Sequence, residues 1–202
     1  IYIDWDVEIG RDTVIYPNNY LCSGTVIGEG CTLYEGNRLE KSRLGDGVSI
    51  RCSTLIEAEV GSNSTVGPNA YLRPKAIVGN NARIGDFVEL KNCSIGNKSK
   101  VSHLAYVGDA DVGSGCNIGC GVVFVNYDGK HKFRSKIGDN VFVGSNSNLV
   151  APVVLEDGAY VAAGSTVTQD VPGGALCIAR ARQTVKPGWA EQKRREWEKE
   201  SK

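Results

Sequence analysis

The 202-residue chain contains two histidines, and their surroundings differ. His103 stands third in Val-Ser-His-Leu-Ala-Tyr, a group of six that starts at Val101, while His131 lies among Lys130, Lys132 and Arg134. Imidazole titrates near neutrality and can act as a general base. His131 in that basic company reads as a solvated side chain. His103, on a turn from which a side chain points outward, is therefore the candidate for chemistry. Residues roughly 12 to 18 positions away fall on neighbouring levels of a stacked repeat, which brings Arg73, Glu89, Lys91, Tyr106 and Asn117 to the side of His103. Arg73 and Lys91 would form an anion-binding rim there, because a guanidinium can hold a phosphate through two parallel hydrogen bonds. A three-imidazole zinc centre cannot easily be built from two histidines, and no close cysteine pair offers metal-ligand spacing, so metal catalysis is the weaker idea. Near the C-terminal end, Ala162, Ala163 and Gly164 leave a corner without bulk. A long thin ligand could lie against it, with Arg180 and Lys186 meeting phosphates at its far end.

The elements that must position these groups follow a six-residue period. From Ile137 the chain runs Ile-Gly-Asp-Asn-Val-Phe, Val-Gly-Ser-Asn-Ser-Asn, Leu-Val-Ala-Pro-Val-Val, Leu-Glu-Asp-Gly-Ala-Tyr and Val-Ala-Ala-Gly-Ser-Thr. The first place is aliphatic, and the fifth is Val, Ser or Ala. A helical face would need apolar residues three and four apart, whereas a strict period of six fits a short strand and a tight turn. Three groups then make one coil of about 18 residues, and the leading aliphatics stack as a ladder. Raggeder groups begin at Ile9, and five-residue groups at Leu39, Ile50, Leu55, Leu90 and Val107 tighten corners. The 25 glycines suit a chain that turns every six residues. The expected fold is all-β, a parallel solenoid over residues 1–175 with a C-terminal arm over 176–202.

Phe124 to Lys136 leaves the repeat. A solenoid can add residues only outward, so this stretch reads as a loop projecting from a corner, and such insertions commonly supply a binding face. Phe124, Tyr127 and Phe133 need a surface to pack on, and a neighbouring subunit is the natural one. Pro172, Gly173 and Gly174 end the repeat near Val171, and Trp189 to Lys202 favours a short amphipathic helix with Glu191 and Arg195 four apart. Basic and acidic residues balance at 23 each, so charge gives no reason to expect a nucleic-acid or membrane-surface partner. No apolar run approaches the length of a membrane span. The seven cysteines are odd in number and scattered, which points to a reducing cytoplasm, and Cys31 and Cys116 take the small fifth place where a thiol packs as a hydrophobe. The repeat begins almost at the first residue, which is not Met, as expected of a piece of a longer protein.

Several ordered segments carry a more specific signal. They are Leu-Arg-Pro-Lys-Ala at 72–76, Ile-Gly-Asp-Phe-Val-Glu-Leu-Lys-Asn at 84–92, the stretch 100–113 containing Ser-His-Leu-Ala-Tyr-Val-Gly-Asp, and Asn-Ile-Gly-Cys-Gly at 117–121. Asn-Tyr-Asp-Gly at 126–129, the stretch 137–153 and Ala-Ala-Gly-Ser-Thr-Val at 162–167 complete the set. Together they resemble the C-terminal acetyltransferase half of the bifunctional N-acetylglucosamine-1-phosphate uridyltransferase / glucosamine-1-phosphate N-acetyltransferase family. The resemblance implies a left-handed parallel β-helix that forms a homotrimer with active sites at subunit interfaces, normally fused to an N-terminal uridyltransferase domain absent from this chain.

The resemblance also implies roles. His103 corresponds to the general base that takes a proton from the 2-amino group of glucosamine 1-phosphate. Arg73, Lys91, Tyr106, Asn117, Asn126 and Tyr127 correspond to sugar-phosphate contacts, with Glu89 orienting the site. Cys120, Ser145, Ala163 and Arg180 fall where the family meets acetyl-CoA, and Lys132 joins the same rim. The amine would attack the thioester directly, with backbone N–H groups near Gly119 to Gly121 stabilising the oxyanion, and no metal is needed. Ser102, Ala105 and Cys120 depart from the common Gly, Thr and Ala. Cys120 reads as a bystander that thiol reagents could still reach. Two alternatives fit the same repeat: an acyltransferase for a nucleotide-linked amino sugar or a hydroxyl, and a structural β-helix without chemistry.

Overall fold

In the computed structural model, which describes residues 1–200, each group of six folds as a short strand and a turn. The leading residues Ile137, Val143, Leu149, Leu155 and Val161 are buried, and so are the fifth-place residues Val141, Ser147, Val153, Ala159 and Ser165. Between them the fourth place turns the chain with positive φ, at 55° for Asn140 and Asn146, 69° for Gly158 and 72° for Gly164. Gly enters that region freely, and Asn, with its short amide, enters it more readily than other side chains. In the five-residue groups the turn falls one place earlier, on Lys41, Cys52, Glu57, Asn92 and Asp109, all with positive φ. Shortening thus removes a corner residue and leaves the inward ladder in register.

Three strands make a coil, and every pairing between the strands of successive coils is parallel. The first face is the ten-stranded sheet that includes Arg83–Asp86, Lys100–His103, Asn117–Ile118, Phe142–Val143 and Tyr160–Val161. The second and third faces form one 17-stranded sheet, because Glu89–Ile95 and Tyr106–Val112 run round the corner between them without a break. The core is a single column of Ile, Val, Leu, Ala and Cys, with Cys31, Cys93 and Cys116 buried in it. The all-β parallel solenoid expected from the period is the fold observed.

The excursion is shorter than the sequence suggests. Phe124 belongs to the strand Val123–Val125, pairs with Leu149 and is fully buried, and Ser135–Ile137 is again a strand. A Phe fits the ladder there in place of the usual aliphatic, so it needs no partner outside the core. The projecting segment is residues 126–134. At the other end, Leu176–Cys177 pairs with Tyr160–Val161, and the expected helix spans Trp189–Glu200 with an ion pair between Lys193 and Glu196 at 2.7 Å in place of Glu191 with Arg195. Ser201 and Lys202 lie outside the described residues. Replacing Phe124 by Ala should cost about 3 to 5 kcal/mol of stability, the usual loss for a truncated core aromatic. Chemical denaturation checks this, and a loss below about 1 kcal/mol would place the ring outside the core.

Candidate active site

His103 ends a first-face strand, and its Cα partner in the coil below is Asp86. The His103 Nδ1 lies 2.5 Å from Asp86 Oδ1, with the two side chains 52% and 35% exposed. That hydrogen bond holds the Asp86 carboxyl below the usual carboxylate range. Sequence reasoning passed over Asp86, although it stands one coil before His103. The coils approach closely here, since a Cβ at Gly85 would sit 1.9 Å from the Ser102 carbonyl oxygen and one at Gly119 would sit 2.7 Å from the Ser145 nitrogen. Continuing the register upward from His103 gives Cys120, Ser145 and Ala163 as one outward column at the corner after the first face. The Arg180 side chain reaches this column's upper end, with Cδ 3.8 Å from the position a Cβ would take on Gly164.

The backbone of that column narrows one expectation, the donors near Gly119 to Gly121, to the Cys120 N–H. Gly119 donates to the Val143 carbonyl at 2.8 Å and Gly121 to the Leu104 carbonyl at 3.1 Å, so neither N–H is available to an oxyanion. Both are consumed by the ladder that stacks the coils. Among the described residues, the N–H groups of Cys120, Ser145 and Ala163 have no hydrogen-bond acceptor. The third-place N–H groups at the corner after the third face differ, because many are capped by side chains of the coil above, as Ser62 is by Asn80 at 2.8 Å and Ser114 by Asp139 at 2.7 Å.

Three residues after His103 the chain enters the second face at Tyr106. The register there makes one column of Tyr71, Glu89 and Tyr106, and beside it a column of Arg73, Lys91 and Gly108. Arg73 pairs with Glu89 at 2.8 Å, and this partner raises the guanidinium pKa. The neighbouring Lys132 ammonium and partial burial lower the pKa of Lys91, with Asp109 opposing them. Lys132 therefore stands beside Lys91 on the second face. Gly108 went unnoticed in the sequence: a Cβ there would lie 2.3 Å from the Tyr106 hydroxyl and 2.8 Å from Asn126 Nδ2, so its absence lets both groups turn into the cation column.

Asn126 opens the projecting segment and is buried, its amide donating to Asp109 Oδ2 at 2.5 Å, while Asn92 donates to Asp109 Oδ1 at 2.5 Å. The segment folds back on itself through the antiparallel bridge of Tyr127 with Lys132, and Asp128 Oδ1 accepts from the Lys130 and His131 N–H groups. Arg134 closes it, donating to both oxygens of Asp111 and to the carbonyls of Asn92 and Ala110. Tyr127 stays 55% exposed, with its hydroxyl on the Gly129 carbonyl. Asn117 lies on the first face between Lys100 and Phe142, so one chain does not bring it to the second-face cluster. Among the described residues, no group of His, Cys, Asp and Glu side chains could hold a metal ion.

A family model described as bacterial transferase hexapeptide (six repeats) matches residues 6–41 and 134–169, and one described as GMPPB C-terminal domain matches residues 55–127. Bifunctional protein GlmU of Clostridioides difficile (strain 630) is 60% identical over 192 residues, which are 95% of this chain and 42% of that protein. The chain belongs to the hexapeptide-repeat superfamily. Within it, the chain is homologous to the C-terminal acetyltransferase domain of GlmU. The GlmU of Clostridium acetobutylicum is 56% identical over the same coverage, so the chain spans about two-fifths of the length of these relatives, 42% in each. Two solved UDP-N-acetylglucosamine acyltransferases share the hexapeptide-repeat fold. One superimposes with a TM-score of 0.59 at 23% identity over 89% of this chain and 69% of that one. The other, from Arabidopsis, has a TM-score of 0.58 at 19% identity over 88% and 71%.

The clamp on the projecting segment carries a pH signature. Arg134 holds the Asp111 carboxyl below its ordinary value, so the pair stabilises the segment fully above the unfolded-state pKa of about 3.9 and less as pH falls through the depressed folded value. Hydrogen exchange of the segment should accelerate below about pH 4 relative to the coils, and Arg134→Met should show the fast exchange already at neutral pH. Equal protection in the two proteins at neutral pH would show that the pair is no clamp.

Proposed function

We propose that this chain transfers acetyl from acetyl-CoA to the 2-amino group of glucosamine 1-phosphate. The observation that carries the reading is the arrangement of His103 at a corner, its Nδ1 occupied by Asp86, beside a face with a half-buried column of Arg73 and Lys91 and with Lys132 near. A sugar bearing both an amine and a phosphate matches that pairing of a base with cations. Arg73, held by Glu89, and Lys91 bind the phosphate, with Lys132 joining them. Tyr106 and Asn126 bind the sugar beside the space that Gly108 leaves, and Asn117 and Tyr127 complete the contacts from other chains.

Acetyl-CoA lies along the corner column above His103. The uncapped N–H groups of Cys120, Ser145 and Ala163 offer donors to the carbonyls of its pantetheine arm and to the thioester oxygen, and Arg180 meets its phosphates. His103 Nε2 accepts the proton as the neutral amine attacks the thioester carbonyl, the tetrahedral oxyanion collapses, and CoA thiolate leaves. Cys120 takes no covalent part. The product, N-acetylglucosamine 1-phosphate, feeds UDP-N-acetylglucosamine and cell-wall precursor synthesis in the cytoplasm, and a uridyltransferase domain precedes this chain in the longer protein.

The site is completed by a homotrimer. Phe87 and Leu104, stacked beside Asp86 and His103, are 57% and 59% exposed and carry φ of 54° and 46°. Bulky side chains at positive φ cost about 1 to 3 kcal/mol each, which burial against a second copy offsets. That copy also brings the first-face Asn117 and the segment carrying Tyr127 within reach of a His103 that is not their own. Release of free CoA thiol from acetyl-CoA should require glucosamine 1-phosphate, and His103→Ala should lower kcat by about 10²-fold or more. Turnover with other amino sugars only would sink the substrate assignment, and unchanged turnover by His103→Ala would sink the base.

A further inference from the structure

We infer that Asp86 is the positioning residue for His103, and that Pro68 in the coil below is what frees its carboxylate for that task. The inference deepens the function proposed above and rests on it.

In the sequence Asp86 looks like the other Asp residues of this repeat. It stands third in Ile-Gly-Asp, as Asp139 does, and Asp46 stands third in Leu-Gly-Asp. Those two have a structural task. Asp46 Oδ1 accepts from the Glu29 N–H at 2.8 Å, and Asp139 Oδ1 accepts from the Ser114 N–H at 2.7 Å. Asn80, Asn97 and Asp157 do the same for Ser62, Asn80 and Asp139, at 2.8, 2.7 and 2.8 Å. In every case a third-place side chain reaches down and caps the third-place N–H of the coil beneath.

Asp86 has no such donor beneath it. Val66 pairs with Ile84, so the residue two places on in the lower coil, facing Asp86, is Pro68. Proline carries no N–H. With nothing to hold it downward, the carboxylate turns to the coil above, where His103 Nδ1 lies 2.5 Å from Oδ1. The backbone fixes the approach, because the Leu104 N–H donates to the Asp86 carbonyl at 2.9 Å and Gly85 has no Cβ to push the Ser102 carbonyl away.

The chemical consequence concerns the tautomer. A neutral imidazole has one N–H, and a carboxylate beside Nδ1 places it there, which leaves the lone pair on Nε2. When Nε2 takes the proton of the amine, the ring becomes an imidazolium beside a carboxylate, and the charge that develops is matched. Without Asp86 the ring would be free to rotate and to carry its proton on Nε2, where it cannot accept another. Asp86 never touches the reacting atoms; it acts through His103.

The test uses the whole chain and two readouts. Long-range proton–nitrogen spectra of 15N-labelled protein at mildly alkaline pH report the tautomer directly. With only two histidines, His131→Gln assigns the signals. The expected spectrum has a protonated Nδ1 and a bare Nε2 on His103. Asp86→Ala should shift the population toward Nε2–H and lower kcat about 10- to 10²-fold, part of the 10²–10⁴ a general base supplies, with KM changed less than about 2-fold. Asp86→Asn keeps an oxygen able to accept from Nδ1–H, and should recover the tautomer and most of the rate. An Asp86→Ala spectrum identical to the parent's, or an unchanged kcat, overturns the assignment. If the parent chain acetylates no amino sugar, the proposed reaction falls, and the spectra still decide whether Asp86 sets the ring.

Discussion

Everything in this molecule depends on the parallel hydrogen-bond ladder that joins each coil to the next. Its N–H···O distances stay within 2.7 to 3.2 Å from Tyr2 with Asn19 up to Thr166 with Ala179. Because strands in such a ladder lie about 4.8 Å apart, there is room inside for one layer of side chains per coil and for nothing else. A cofactor cavity in the interior is excluded by that spacing. Chemistry must occur on the faces and corners, and a residue's functional neighbours are those one coil away. Where the corners narrow, at Gly85, Gly119 and Gly144, even a methyl group would strike the next coil's backbone.

The three corners use the same hexapeptide geometry for different ends. After the third face, Asp, Asn and Ser side chains cap the N–H groups of Glu29, Asp46, Ser62, Asn80, Ser114 and Asp139, which closes most of that corner. After the first face, the same places hold Pro68, Asp86, His103, Cys120, Ser145 and Ala163. None of these caps the N–H below, so backbone donors and the His103 imidazole share one outward line. Between the second and third faces, Asn92, Asp109 and Asn126 bond to each other and carry the projecting segment. A capped corner, an uncapped corner and an anchoring corner thus differ only in what fills the place beside the turn.

The fold was legible because its core obeys one short rule, aliphatic first and small fifth, repeated until chance is excluded. What the period could not convey lies outside the ladder. Phe124 looked like part of the loop because an aromatic breaks the aliphatic pattern, yet the column accommodates it without a change of register. The nearness of Lys132 to Lys91 was hidden because nothing local indicates that Arg134 draws the segment back over Asp111. Which N–H groups between Gly119 and Gly121 are left free was hidden for a different reason, since a sequence does not state which of them the next coil consumes. Gly108 was invisible because one more glycine among 25 carries no signal until the Tyr106 hydroxyl is seen to need its space.

Asp86 is the most instructive of these, because its own residues look entirely structural. Ile-Gly-Asp occurs at two places, and at Asp139 the carboxylate caps a turn. The distinction lies one coil away, at a proline whose missing N–H is a local fact with a consequence on the next level. In a stacked repeat the informative unit is therefore the column: the residue below determines whether a side chain is spent on structure. On that reading a polar third-place residue standing over a proline, with a titratable group above it, marks where a solenoid has released a side chain from holding the fold together. Here the released side chain is the one hydrogen-bonded to His103.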